Sequence, residues 1–138
     1  MQNTQSSEAP RTLDDPDSDK LPLNGGSAFT IYAQVSNKTV LFSSTLGGQT
    51  YTGLKWNRTS TSTSVALTFM LSSDIQYFTS ESAELVFDPA ADGHQKASCA
   101  PDSNNREEYH FDAYVNDPEN GGKLIQIIDP VIVISIKP

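Results

Sequence analysis

From Ser27 onward the chain repeats every second residue, the period of a half-buried β-strand. Phe29, Ile31, Ala33 and Val35 alternate with Thr30, Tyr32 and Gln34. Val65, Leu67, Phe69 and Leu71 alternate with Ala66, Thr68 and Met70 in the same way. No window shows a helical period. Further strands are predicted near 38–44, 51–57, 75–79, 82–88, 107–115, 123–129 and 130–137, where β-branched and aromatic residues are frequent. The segments between them carry turn chemistry: Asn37, Gly47-Gly48, Ser72-Ser73-Asp74, Asp88-Pro89 and Asn120-Gly121-Gly122. The expectation is an all-β protein, a β-sandwich of about 8–9 mostly antiparallel strands over residues 27–138. The polar stretch 89–106 reads as a long loop with room for one helical turn.

Residues 1–26 read differently. They are polar, contain Pro10, Pro16 and Pro22, and carry acidic residues at Asp14, Asp15, Asp17 and Asp19. Few bulky apolar side chains are present to offset the entropy of ordering, so a disordered acidic tail is expected. With 17 acidic and nine basic residues the net charge is −8. That surface repels nucleic acid and anionic membranes, and no apolar run is long enough to span a bilayer. Cys99 is the sole cysteine, so no intrachain disulfide forms and Cys-rich metal sites are excluded. With no secretory leader in the sequence, the cytoplasm is the expected compartment. The glycosylation patterns at Asn37 and Asn57 are then expected to stay unused.

Most site chemistry is poorly represented. His94 and His110 are the only histidines, and no His/Asp/Glu spacing matches a metal-ligand set; no metal or other cofactor is expected. No nucleophile elbow and no phosphate-cradling glycine loop is present. Trp56, Tyr51, Tyr77 and Phe78 suit a carbohydrate-binding face if exposed, but core packing is their expected use.

One feature stands out. Four of the eight prolines follow an aspartate, at Asp15-Pro16, Asp88-Pro89, Asp117-Pro118 and Asp129-Pro130, where chance predicts fewer than one. Asp-Pro is the weakest ordinary peptide bond. The aspartate carboxylate can attack its own main-chain carbonyl carbon to form a five-membered anhydride, and the proline nitrogen leaves as a secondary amine. Both reacting groups belong to one residue, so proximity needs no binding step. A neighbouring carboxylate that activates water is a second route. Turns also use Asp-Pro for conformational reasons. Only Asp129-Pro130 sits between two apolar segments.

The loop 116–122 predicts an antiparallel hairpin between 107–115 and 123–129. If Val115 lies opposite Leu124, His110 faces Asp129. Alternation then puts Glu108 and Asp112 on the face of His110. Asp112 is the preferred acid or water-activating base, Glu108 the second choice, and His110 a proton donor to the departing nitrogen of Pro130. Solvated strand positions are the ordinary alternative for these charges.

The run Tyr109-His110-Phe111-Asp112-Ala113-Tyr114-Val115-Asn116-Asp117, then Lys123-Leu124-Ile125-Gln126-Ile127-Ile128-Asp129-Pro130, then an apolar strand ending in Pro138, resembles the bacterial DP-EP family. The family name suggests Glu-Pro at the second site, where this chain has Lys137-Pro138. The resemblance implies a β-sandwich that cuts itself once at Asp129-Pro130, an autoproteolytic endopeptidase of aspartic type. Pro130–Pro138 would stay bound as a strand, making the chain's own C-terminal strand its partner. The family is also associated with an amide cross-link between the new aspartyl end and a lysine. Lys123 lies six residues away on the same strand, roughly 20 Å of extended chain, and Lys38 or Lys55 could approach only from another strand. Hydrolysis or no reaction is therefore the expectation. A structural or interaction module without a reaction, self-association included, and a carbohydrate-binding module are the alternatives.

Overall fold

The computed structural model describes residues 17–58, 63–101, 106–117, 119, 121–127 and 130–136. Among them are twelve strands and no helix: β1 (Lys20–Leu23), β2 (Ala28–Ser36), β3 (Thr39–Ser43), β4 (Gly53–Arg58), β5 (Val65–Leu71), β6 (Ile75–Thr79), β7 (Leu85–Phe87), β8 (His94–Cys99), β9 (Glu107–His110), β10 (Asp112–Asp117), β11 (Lys123–Ile127) and β12 (Val131–Ile136). The all-β expectation holds. A five-stranded sheet runs β3-β2-β5-β8-β7, a four-stranded sheet β1-β4-β12-β9, and a three-stranded sheet β11-β10-β6. Pairing is mostly antiparallel, but β1 with β4, β4 with β12, and β2 with β5 are parallel.

The clearest alternations become β2 and β5, with Ile31, Ala33, Val65, Leu67 and Phe69 buried. Asn37 and Lys38 both have positive φ (52° and 60°), the two-residue turn whose twist suits the β2–β3 hairpin. A five-ring cluster of Phe42, Phe69, Phe78, Phe87 and Phe111 fills the core between the layers, with neighbouring ring centroids 5.0–6.2 Å apart. Trp56 is fully buried, and its indole N–H donates to the Gly26 carbonyl at 2.9 Å.

Three expectations need correction. First, the acidic tail ends earlier than residue 26. Lys20–Leu23 forms β1, because Leu21 and Leu23 bury against β4 while Pro22 between them is exposed on an edge strand. Asp17 is also buried and bound to Lys55 and Arg106; the rest of the predicted tail, 1–16, lies outside the described residues. Second, the predicted loop 89–106 contains β8. Its inward residues are Gln95, Ala97 and Cys99, too small or too polar to mark a strand by apolar alternation. His94 opens that strand and is not a loop residue. Third, the predicted strand 107–115 is two strands in different sheets, joined at Phe111. These three changes raise the count from about nine strands to twelve.

Candidate functional site

The hairpin that carries the candidate residues closes one step away from the predicted register. Asp117 pairs with Lys123 and the Gly122 N–H donates to the Asp117 carbonyl at 2.8 Å, so Val115 lies opposite Ile125, not Leu124. Gly121 and Gly122 (φ 71° and 82°) supply the left-handed backbone this turn needs. In the four-stranded sheet His110 lies opposite Val131. The expected pairing of His110 with Asp129 is therefore replaced by pairing two residues further on.

The reason is the passage of both chain segments from one sheet to another. Between the pairs Ala113–Ile127 and His110–Val131, one strand supplies two residues, 111 and 112, and the other supplies three, 128–130. The first pair belongs to the three-stranded sheet and the second to the four-stranded sheet, so the partner of His110 is set by the change of sheet and not by one continuous ladder. Phe111 anchors the corner: its ring lies in the core cluster and its N–H donates to the Pro130 carbonyl at 3.1 Å. Pro130 is buried. Asp129, the candidate scissile residue, lies outside the described residues.

Glu108 and His110 share the outer side of β9, and Asp112, past the corner at Phe111, lines the same groove as His110. Tyr109, Phe111 and Ala113 point into the core, leaving the other three on the solvent side. His110 Nε2 is 3.7 Å from Glu108 Oε1, and their side chains are 66% and 43% exposed, so the pair is accessible to water. Glu108 Oε2 also accepts from Arg106 at 3.1 Å. Asp112 is half-buried, and its Oδ2 accepts from the Gln126 amide at 2.8 Å. Ser80 lies next to this group, with its hydroxyl donating to the His110 carbonyl at 3.2 Å. An open groove of about 300 Å³ runs between Ser80–Ser82 and His110–Asp112. Ser80 and Arg106 were not singled out in the sequence. They come from segments distant in order or bland in composition, and no motif marks them.

The lysines considered for cross-linking have other neighbours. Lys55 Nζ is 3.1 Å from Asp17, and Lys38 Nζ is 3.8 Å from Asp117. Lys123 pairs with Asp117 across the hairpin. Burial alone would raise the Asp17 carboxyl, but hydrogen bonds and charges from Arg106 and Lys55 outweigh it and hold the group below its ordinary value. Cys99 is a free, fully buried thiol, pushed up to about 12 by burial first and then by Glu84 and Glu107. It is not a nucleophile in this state.

Of the aromatics weighed for a carbohydrate face, Trp56 and Phe78 are core residues, Tyr51 is partly buried against the core, and Tyr77 is 37% exposed. Among the described residues no group of three or more His, Cys, Asp or Glu is placed to hold a metal ion. No helix among them is long and apolar enough to cross a membrane. No model of a known protein family matches the chain, and no curated protein matches it.

Proposed function

We propose that the chain cuts its own Asp129-Pro130 bond once and retains the C-terminal segment as β12, in the manner of the bacterial DP-EP family that it resembles. The observation that carries the reading is the change of sheet between β11 and β12, where Pro130 is buried and its carbonyl accepts from the Phe111 N–H at 3.1 Å.

The chemistry requires little of the surroundings. The Asp129 carboxylate attacks its own main-chain carbonyl carbon, and the bond to the Pro130 nitrogen breaks. That nitrogen takes a proton and becomes a new secondary amine. Water then opens the anhydride, leaving Asp129 with two carboxyl groups. His110 is the assigned proton donor, and its side chain is open to water. Asp112 is the assigned acid or water-activating base, with Glu108, 3.7 Å from His110, in the second position.

The placement of β12 supports retention of the product. It runs between β4 and β9, hydrogen-bonded on both sides, and Ile132 is fully buried. A strand so held does not depend on one covalent link at its end. The Pro130 carbonyl is fixed by Phe111, so the leaving segment has no freedom to turn away. The engagement of Lys38 and Lys55 with other carboxylates favours water over lysine as the group that opens the anhydride. A free buried thiol suits a reducing compartment, and we place the protein in the cytoplasm.

Intact-mass measurement over days at mildly acidic and neutral pH tests the proposal. The expected products are a chain ending at Asp129 and a nine-residue peptide that co-purifies with it until denaturant is added. Asp129→Ala abolishes the cut, and His110→Gln and Asp112→Asn slow it. A mass that stays whole throughout, or the same cut in Asp129→Ala, overturns the reading.

A further inference from the structure

β6 and β7 are outer strands of two different sheets, and an open groove of about 660 Å³ lies between them. Its floor is built to hold one shape. Gln95, 2% exposed, accepts from the Phe78 N–H at 2.7 Å and donates to the carbonyls of Phe78 and Asp88 at 2.9 and 2.8 Å. One side-chain amide thus ties both lips together, with both of its donors used. Phe78 and Phe87 pack beside it, their ring centroids 5.9 Å apart.

The walls differ from the floor. Tyr77 stacks on Tyr114 of β10, with centroids 4.8 Å apart and planes at 18°. β10 lies on the opposite side of β6 from the groove, so Tyr114 covers one face of the Tyr77 ring. Tyr77 lines the groove and is 37% exposed, so its ring is not closed off by Tyr114. Val86, 51% exposed, lines the opposite lip. The polar part of the rim includes Gln76, Thr79, Ser80 and Ser82, with Asp88 as the one charged side chain among the lining residues.

We propose that this slot binds one unit of a neutral oligosaccharide. A pyranose has an apolar C–H face and an edge of hydroxyls. The C–H face is matched by the negative face of the Tyr77 ring, and the hydroxyls by Thr79, Ser82 and the acceptor pair of Asp88. Asp88 and the net charge of −8 oppose an anionic glycan. The slot adjoins the groove beside His110 and shares Thr79, Ser80 and Ser82 with it, but Pro130, His110 and Asp112 do not line it.

Amide NMR titration of the full chain with cellotetraose, chitotetraose and maltotetraose is the test, with hexalysine as the competing probe. At least one sugar is expected to give saturable shifts confined to residues 76–80 and 85–90. Tyr77→Ala and Asp88→Asn should each weaken binding about tenfold, and Tyr77→Trp should restore it. Unchanged Trp56 fluorescence verifies the fold of each variant; if Tyr77→Ala unfolds, Asp88→Asn decides alone. Saturable binding of none of the three sugars up to about 10 mM overturns the proposal. So do shifts centred elsewhere, equal affinity in a folded Tyr77→Ala, or saturation of the slot by hexalysine alone.

Discussion

β1 and β12 lie on opposite sides of the same strand, and both run parallel to it. In the ladders Leu54 of β4 is paired with Leu21 on one side and Ile132 on the other, and Trp56 with Leu23 and Ile134. Their means of attachment differ. β12 has a second ladder, to β9, and contributes the fully buried Ile132. β1 is an edge strand with one ladder, two buried leucines and an ionic anchor at its start. There Asp17, with a side chain 6% exposed, binds Lys55 of β4 at 3.1 Å and Arg106, just before β9, at 2.7 Å. One terminal strand is held by hydrocarbon and main-chain bonds, and the other depends in part on charge. A chain that is to survive a cut beside β12 needs that strand held in the first way.

The largest expected effect follows from that contrast. Ile132→Ala, made in the Asp129→Ala background so that cleavage does not intervene, should cost about 2–5 kcal/mol in urea unfolding. The same variant should expose Cys99, whose burial makes alkylation a reporter of opening. A loss well under 1 kcal/mol would mean that β12 is weakly held, and retention of the cleaved peptide would lose its physical basis.

Asp17 should matter less, and in a pH-dependent way. Its folded value lies below the ordinary 3.8, so the stabilisation is fully present above that pH and is lost as pH falls through the folded value. Asp17→Asn should cost about 1–2 kcal/mol at neutral pH, below the cost of breaking a fully buried pair because Arg106 and Lys55 remain partly solvated. Hydrogen exchange should speed at Leu21 and Leu23 below pH 3.8 while Ile132 stays protected. Equal acceleration in both strands would erase the distinction between them.

The same contrast explains what could be read from the sequence. β2 and β5 were legible because their buried residues are large and alternate with polar ones. β1 was hidden because two leucines around a proline, after four aspartates, look like a solvated tail. β8 was hidden because Gln95 is buried by bonding to the backbone of Phe78, a partner seventeen residues away. The shared side of Glu108 and His110 followed from alternation alone. The residue opposite His110 did not, because it depends on how the hairpin loop closes and on the change of sheet at the corner. Register is a pairwise property, and a slip of one residue leaves the periodicity of either strand unchanged.

The smallest effect tests whether β1 is anchored across the sheet or within its own turn. Lys20 Nζ lies 3.1 Å from Asp19 and 4.0 Å from Asp17, both local contacts. The hydrogen bond from Lys20 is the main cause of the lowered Asp19 value, with burial opposing it. Asp19 is 60% exposed, so water and salt screen that pair. Lys20→Ala should therefore cost at most about 0.5 kcal/mol, with little change in exchange at Leu21 and Leu23. Arg106→Ala removes a bridge across 89 residues of sequence and should speed that exchange more. If Lys20→Ala loosens β1 as much as Arg106→Ala, the strand is held by its own turn. The ionic contacts to β4 and to the start of β9 would then be consequences of its docking, not causes.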